Sequence, residues 1–327
     1  MELLKASEAG SPRVSSDLSA RSIGESAEKA VLSLSVPRDR AFAALYNYLA
    51  VDEPAVHLMP LHFLPRSAQR TVEHSDLHCL GVAAKLEYVR SRWIDEIVDS
   101  GCTESLLATH DLHREIVELI FALYAEVLHG GTASEFFRTL AGLYAHHGAS
   151  LAVDGSRRRR PLGLLTEDQY SAQVHARNGS FRASIDAVLL LAGASKKTVK
   201  RARQSWHLWV LGAQLYDDAL DVEEDFESES LTWTVDRTLA DLGANAGRER
   251  WPDRDTFYET ALIGGAVVET LARAEACFWS AANLSDNEFP GWAALQRACT
   301  SQTTRLRADF QELATRIARR QESRRNR

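Results

Sequence analysis

The sequence predicts an all-α protein, folded as a single-domain bundle of helices. From about Pro37 onward apolar residues recur with the 3.6-residue period of a helix, and no run of β-branched residues alternates strictly with polar ones. The composition, 45% hydrophobic and 25% charged over 327 residues, is sufficient for one large buried core. The longest apolar runs, 187–194 and 261–268, are far shorter than the ~20 residues that span a bilayer, so we expect no transmembrane helix.

The two ends of the chain differ from the rest. Residues 1–36 are rich in small polar residues and have no sustained apolar period, which predicts a disordered leader without a signal peptide and hence a cytoplasmic protein. The folded domain is expected over 37–320, followed by an Arg-rich tail at 321–327. With 38 basic against 45 acidic residues, the net charge of -7 disfavours nucleic acid as a partner.

Long amphipathic helices follow one another along the domain. Thr166 followed by Glu167 favours a helix start, and Asn178-Gly179-Ser180 predicts a break inside the helix that begins there. Pro252 and Pro290 mark loops before the last two helices. The expected helices cover 77–98, 111–128, 132–147, 166–191, 196–226, 257–283 and 292–320.

An acidic cluster ends the first of these helices, where the sequence reads Asp95-Glu96-Ile97-Val98-Asp99. Asp95 and Asp99 are four residues apart, so a helix places both carboxylates on one face. The apolar residues around them predict that this face points into the protein. Asp95, Glu96 and Asp99 are therefore candidate metal ligands.

A second, denser acidic cluster ends the helix 196–226, with Asp217, Asp218, Asp221 and Asp225 within nine positions. Stacked like charges at four-residue spacing each oppose helix formation by roughly 0.2 to 0.5 kcal/mol, so something else should compensate them. A hard divalent cation such as Mg2+ takes oxygen ligands and typically bridges one or two carboxylates to the phosphates of a substrate. These four aspartates are therefore also candidate metal ligands.

The plain alternative for either cluster alone is a solvated acidic surface. Two clusters that both follow strongly apolar helices favour the metal interpretation. A di-metal carboxylate bundle needs paired Glu-x-x-His motifs, and only Glu126 and His129 form one. The sequence has no Gly-x-Ser-x-Gly elbow and no Gly-rich phosphate loop, which disfavours the hydrolases and nucleotide-binding enzymes that use them.

The two clusters resemble the aspartate-rich motifs of the class I isoprenoid synthases. Asp95-Glu96-x-x-Asp99 is similar to the first motif, and Gln214-x-x-Asp217-Asp218-x-x-Asp221-Val222-x-x-Asp225 to the second. The resemblance implies helices around a central apolar pocket, and three Mg2+ ions held by both motifs at its mouth. It further implies a prenyl diphosphate as the substrate, release of its diphosphate to leave an allylic carbocation, and a homodimer as a common arrangement.

The resemblance also implies basic and aromatic residues around the substrate. Arg177, next to the predicted helix break, lies about where such families sense the diphosphate. Arg305 and Arg307 resemble the late basic pair of terpene cyclases, although the Arg-Tyr dipeptide itself is absent. Aromatic pocket residues are expected to stabilise the cation, and the candidates are Tyr88, Phe181 and Tyr216.

Departures from the family patterns bear on the subclass. Chain-elongating synthases usually carry a Gly-Gly-Lys-Arg type segment for isopentenyl diphosphate, yet residues 37–76 contain no Gly, and Arg177-Asn178 replaces the expected Lys-Thr element. Our first hypothesis is therefore a class I terpene synthase that acts on farnesyl or geranylgeranyl diphosphate alone. The alternatives are a head-to-head squalene or phytoene type synthase, a chain-elongating prenyltransferase, and a non-catalytic helical partner subunit.

Overall fold

The structure, a computed structural model, describes residues 18–34, 40–51, 54–99, 103–129, 131–157, 165–243 and 252–325. Within these ranges the regular structure is helical and contains no strand, which confirms the predicted all-α class. Each described helix is too short or too polar to cross a membrane. The helices are α1 Ala20–Leu32, α2 Arg40–Leu49, α3 Pro54–His57, α4 Met59–His62, α5 His74–Asp99, α6 Thr103–Val127, α7 Gly131–Arg157, α8 Glu167–Arg177, α9 Arg182–Leu191, α10 Lys196–Leu220, α11 Val222–Glu227, α12 Trp233–Asp241, α13 Arg254–Ile263, α14 Ala266–Ser285 and α15 Pro290–Arg325.

Helices α5, α10 and α14 form the centre of the bundle. Helix α14 packs along both α10 and α15, and α5 packs against α1, α2, α6 and α9. Trp93 of α5, Trp206 of α10 and Trp292 of α15 are almost completely buried. The indole N–H of Trp292 donates to Ser205 Oγ at 2.9 Å, so the polar atom of this ring is satisfied inside the core.

Residues 18–34 differ from the expected disordered leader, and the rest of residues 1–36 lies outside the described residues. Helix α1 lies in that segment, and its Ile23, Ala27 and Val31 are completely buried. Ser19 caps the helix by accepting the N–H of Ser22 at 3.1 Å. We did not expect this helix because its apolar residues form only one narrow stripe, spaced four positions apart. That stripe is sufficient for the helix to pack against α5. At the other end α15 continues to Arg325, so part of the predicted tail is helical.

Two of the long predicted helices are broken. The first, predicted over 257–283, divides into α13 and α14 at Gly264-Gly265, where Gly265 has a φ of 91° that other residues rarely adopt. The second, predicted over 196–226, divides at Asp221 into α10 and α11. Asp221 has a φ of -90° and a ψ of 12°, outside the helical region. The second break turns the chain within the acidic cluster itself.

The break predicted at Asn178-Gly179-Ser180 is confirmed. Helix α8 ends at Arg177, a 3-10 turn covers Gly179–Phe181, and α9 begins at Arg182. The side-chain amide of Asn178 donates to the carbonyl of Val174 at 2.9 Å, which satisfies a carbonyl at the end of α8. Thr166 and Gln169 form a capping box at the start of α8. Hydrogen bonds therefore fix both ends of α8. They also fix the position of Arg177, which is the last residue of this helix.

Candidate active site

A cavity of about 330 Å³ lies between α5, α8, α10 and the 3-10 turn. Its wall includes the predicted aromatic residues Tyr88, Phe181 and Tyr216, joined by Trp209. Tyr88, Trp209 and Tyr216 are buried, whereas Asp221 at the other end of the cavity is exposed. The cavity is therefore apolar inside and acidic toward solvent. The charged side chains that line it are Arg92, Asp95, Arg177, Asp217, Asp218, Asp221 and Asp225.

Asp95, from the first motif, lies between two basic groups. Arg177 donates from Nη2 to Asp95 Oδ2 at 3.2 Å, and His147 Nε2 is 4.0 Å from Asp95 Oδ1. Burial raises the pKa of Asp95, but the neighbouring His147 and the charge of Arg177 outweigh it, and the pKa is lowered overall. The Asp95 carboxylate is therefore ionised and already compensated by positive charge.

The other two residues of the first motif have different positions. Glu96 is exposed, accepts a hydrogen bond from Tyr48 Oη at 2.7 Å, and is not part of the cavity wall. Burial, together with this hydrogen bond, raises the pKa of Tyr48 to about 12. Asp99 is the last residue of α5, and its side chain lies outside the described residues. A ligand role for Glu96 and Asp99 stays a prediction.

The second motif surrounds the turn between α10 and α11. Asp217, Asp221 and Asp225 all line the cavity, and the N–H of Asp225 donates to the carbonyl of Asp221 at 2.8 Å across the break. Burial and the charge of Asp217 raise the pKa of Asp221. Burial and the charge of Asp218 raise the pKa of Asp225 to about 7. In contrast to Asp95, these two carboxylates have raised pKa values, first through burial and then through neighbouring negative charge.

Asp218 accepts hydrogen bonds at both of its carboxylate oxygens. Tyr170 Oη and the backbone N–H of Trp233 donate to Oδ2 at 2.6 and 2.8 Å, and Gln214 Nε2 donates to Oδ1 at 3.0 Å. The side chain is 2% exposed, and burial raises its pKa to about 6. Asp218 thus ties α8, α10 and α12 together beside the cavity, and its ligand role stays a prediction.

The late basic pair lies away from the cavity. Arg305 is exposed and donates from Nε to the carbonyl of Ser301 at 3.2 Å. Arg307 forms an ion pair with Glu275 at 3.0 Å. The structure therefore brings Asp95, Arg177 and the second motif together, and it does not bring Arg305 or Arg307 to them.

Comparison with solved structures identifies the architecture. The chain superposes on a geranylgeranyl pyrophosphate synthetase from the archaeon Geoglobus acetivorans with a TM-score of 0.68 and 16% identity, covering 88% of this chain and 95% of that one. This chain has the isoprenoid synthase fold. At this level of identity the likeness establishes the fold alone. No protein-family model and no curated protein matches the sequence.

Two further solved structures show the same isoprenoid synthase fold. A decaprenyl diphosphate synthase from Rhodobacter capsulatus has a TM-score of 0.67 and 14% identity, covering 86% of this chain and 96% of that one. A polyprenyl synthase from Caulobacter crescentus CB15, complexed with calcium and isoprenyl diphosphate, has a TM-score of 0.65 and 17% identity, covering 87% of this chain and 94% of that one.

The acidic side chains of this isoprenoid synthase fold suit a hard divalent cation. Carboxylate oxygens are the ligands that Mg2+ prefers, and Mg2+ is commonly held by one or two carboxylates together with substrate phosphates. Burial and neighbouring carboxylates raise the pKa values of Asp221 and Asp225, so a bound cation would favour their ionised forms. Among the described residues, no three His, Cys, Asp or Glu side chains form a compact metal cage by themselves.

Sequence reasoning did not single out several polar residues of the cavity wall. Gln173, one helical turn before Arg177, lines the cavity from the same face of α8. Its four-residue spacing from Arg177 could have predicted this position. Ser230 and Thr232 also line it, from the segment after α11. No periodic pattern marks such a segment, so the sequence offers no comparable signal for these two residues.

Proposed function

We propose that the protein is an enzyme that binds an allylic prenyl diphosphate, with divalent cations held by its two acidic motifs, and releases the diphosphate. One observation carries the proposal. Asp95, Arg177, Asp217, Asp221 and Asp225 line the solvent end of a cavity whose inner wall is apolar and aromatic. This arrangement matches a substrate with an anionic head and a hydrocarbon tail.

Each part of the wall has a task in this reaction. The buried aromatic residues exclude water from the hydrocarbon tail, and each aromatic face stabilises a cation by roughly 0.5 to 2 kcal/mol. Arg177 places a guanidinium where it can donate to the departing diphosphate oxygens. Bound Mg2+ supplies positive charge that neutralises the leaving group. No side chain has to act as a general acid in this step.

The cation has two candidate fates. The three solved structures compared above are named as a geranylgeranyl pyrophosphate synthetase, a decaprenyl diphosphate synthase and a polyprenyl synthase. These names favour transfer of the prenyl group to a second diphosphate substrate such as isopentenyl diphosphate. The replacement of Lys-Thr by Arg177-Asn178 and the absence of Gly from 37–76 favour the second candidate, a terpene synthase that uses one prenyl diphosphate alone.

Product analysis separates these candidates. The purified protein and Mg2+ are incubated with geranyl, farnesyl or geranylgeranyl diphosphate, each with and without isopentenyl diphosphate. A longer diphosphate that forms only with isopentenyl diphosphate supports prenyl transfer. A hydrocarbon or alcohol from one substrate alone supports a terpene synthase, and a doubled carbon count supports head-to-head condensation.

The same assay tests the shared chemical step. Asp95→Asn keeps the size of the side chain but removes its charge, and we expect it to lose diphosphate release. Asp309→Asn, on an exposed position of α15 outside the cavity, is the matched control and should behave like the unaltered protein. Absence of diphosphate release with all three substrates would overturn the proposal in favour of a non-catalytic partner protein.

A further inference from the structure

A buried polar cluster lies directly behind Asp95. Arg90, one turn before Asp95 on α5, is 3% exposed, and Glu87 and His147 are exposed by 0% and 2%. Arg90 Nε is 3.4 Å from Glu87 Oε2, and Arg90 Nη2 is 3.4 Å from His147 Nδ1. Tyr144 of α7 also donates to Glu87, and its ring lies 4.4 Å below the Arg90 guanidinium. Burying these groups is costly, and their hydrogen bonds offset the cost only if the geometry is kept.

This cluster determines which nitrogen of His147 carries the proton. Guanidinium N–H groups only donate, so Nδ1 of His147 accepts from Arg90 and the proton resides on Nε2. That Nε2–H is 4.0 Å from Asp95 Oδ1. Both atoms are buried, and neither has a hydrogen-bond partner within the described residues. A donor and an acceptor without other partners therefore face each other at a distance that a shift of about 1 Å converts to a hydrogen bond.

We propose that His147 is a positioning residue for Asp95, donating from Nε2 to Oδ1 so that Oδ2 is presented to a cation in the cavity. Arg90, held by Glu87, fixes the tautomer of His147 that can donate. Arg177 donates to the same Oδ2 at 3.2 Å, and the second lone pair of that oxygen remains for a cation. The inference rests on the proposed function, since it assigns Asp95 as a metal ligand. Partners behind metal ligands commonly change metal affinity by about 10- to 100-fold when replaced.

Two substitutions of similar size separate positioning from simple core stability. In His147→Gln the amide Nε2 lies about where the imidazole Nε2 lies, so the donor to Asp95 is kept and the acceptor for Arg90 is lost. In His147→Asn the side-chain oxygen can accept from Arg90, but no donor reaches Asp95. Each variant loses one buried hydrogen bond, so a merely structural role predicts similar losses in both.

The test measures binding of Mn2+ to the substrate-free protein by titration calorimetry and electron paramagnetic resonance. We expect His147→Gln to bind within about 3-fold of the unaltered protein and His147→Asn to bind about 10-fold or more weakly. Equal affinity of His147→Asn and the unaltered protein, or equal weakening in both variants, would overturn the positioning role. Asp95→Asn separates failure of the first-motif metal site from failure of the positioning role of His147. If Asp95→Asn leaves Mn2+ affinity unchanged, the first-motif metal site fails as well, whereas weakening in Asp95→Asn alone rejects only the role of His147.

A measurement on the unaltered protein covers the case in which a variant does not fold. Two-bond 15N–1H correlation spectra of 15N-labelled histidines report which imidazole nitrogen carries the proton. We expect the Nε2–H tautomer at His147. A proton on Nδ1 would contradict the role of Arg90 and with it the proposal.

Discussion

The two acidic motifs of the cavity have opposite electrostatic surroundings. Asp95 of the first motif is held between Arg177 and His147, and its pKa is lowered. Asp221 and Asp225 of the second motif are close to other carboxylates, and their pKa values are raised. The pKa shifts in the two motifs therefore have opposite directions. Asp95 is compensated by neighbouring basic groups, whereas Asp221 and Asp225 are partly buried beside other carboxylates, so their ionised forms are less favourable without a bound cation.

The largest expected effect is loss of turnover when either motif loses a carboxylate. Asp95→Ala and Asp221→Ala should each lower the rate of diphosphate release on the order of 10³-fold, because charge on the leaving diphosphate is no longer neutralised. Circular dichroism should remain helical, since neither substitution opens the core. Substantial activity in either variant would show that turnover requires only one of the two motifs. That result would contradict the comparison between them.

Arg177→Ala should slow diphosphate release by about 10²-fold while changing stability little, because it removes a donor to the leaving group and a partly exposed ion pair. Arg201→Ala is a matched control. Arg201 pairs with Glu288 at 3.2 Å and its side chain is 32% exposed, the same values as for the pair of Arg177 with Asp95. Single-turnover kinetics and thermal unfolding of both variants check the prediction. If both variants release diphosphate at the same rate, Arg177 contributes no more to the reaction than an ordinary surface residue.

Asp218→Ala should lower the free energy of unfolding by about 2 kcal/mol, because the buried N–H of Trp233 and the hydroxyl of Tyr170 lose their acceptor. Asp221→Ala should change it little or raise it slightly, since Asp221 is exposed and faces like charges. Urea denaturation of the two variants in the presence of EDTA provides the measurement. Equal losses would mean that Asp218 has no special structural role within its motif.

The smallest predicted effect is a pH dependence that comes from Asp225. Its pKa is raised to about 7 in the folded protein from its ordinary value of 3.8, so folding favours the protonated form. The stabilisation from this group is present at low pH and is lost as the pH rises through about 7. Metal-free stability should therefore fall by about 1 kcal/mol more between about pH 6.3 and about pH 8 in the unaltered protein than in Asp225→Asn. An identical pH dependence in both proteins would place Asp225 in an ordinary solvated environment.

The sequence predicted the parts of the site that depend on local periodicity. The helical class follows from the 3.6-residue period, and the break after Arg177 follows from Asn178-Gly179-Ser180. The four-residue spacing of Asp217, Asp221 and Asp225 predicted that they lie together, and all three line the cavity. They do so around the break at Asp221 rather than on one face of a continuous helix.

The sequence did not reveal what depends on packing between distant segments. Asp218 is one position from Asp217, which on a helix turns its side chain by about 100°, toward Tyr170 and Trp233. His147 approaches Asp95 across the interface of α5 and α7, 52 positions away. No sequence pattern within either helix predicts that these two side chains lie close together. Arg305 and Arg307 were chosen by resemblance, and neither of them lines the cavity.

The most direct test of the central claim is a double-mutant cycle on diphosphate release from labelled farnesyl diphosphate, using Asp95→Asn, Asp221→Asn and both together. If the two motifs act on one diphosphate through shared cations, the double variant should be about as slow as the slower single variant. Rate losses that multiply would contradict this account, because they would mean that the two motifs act independently.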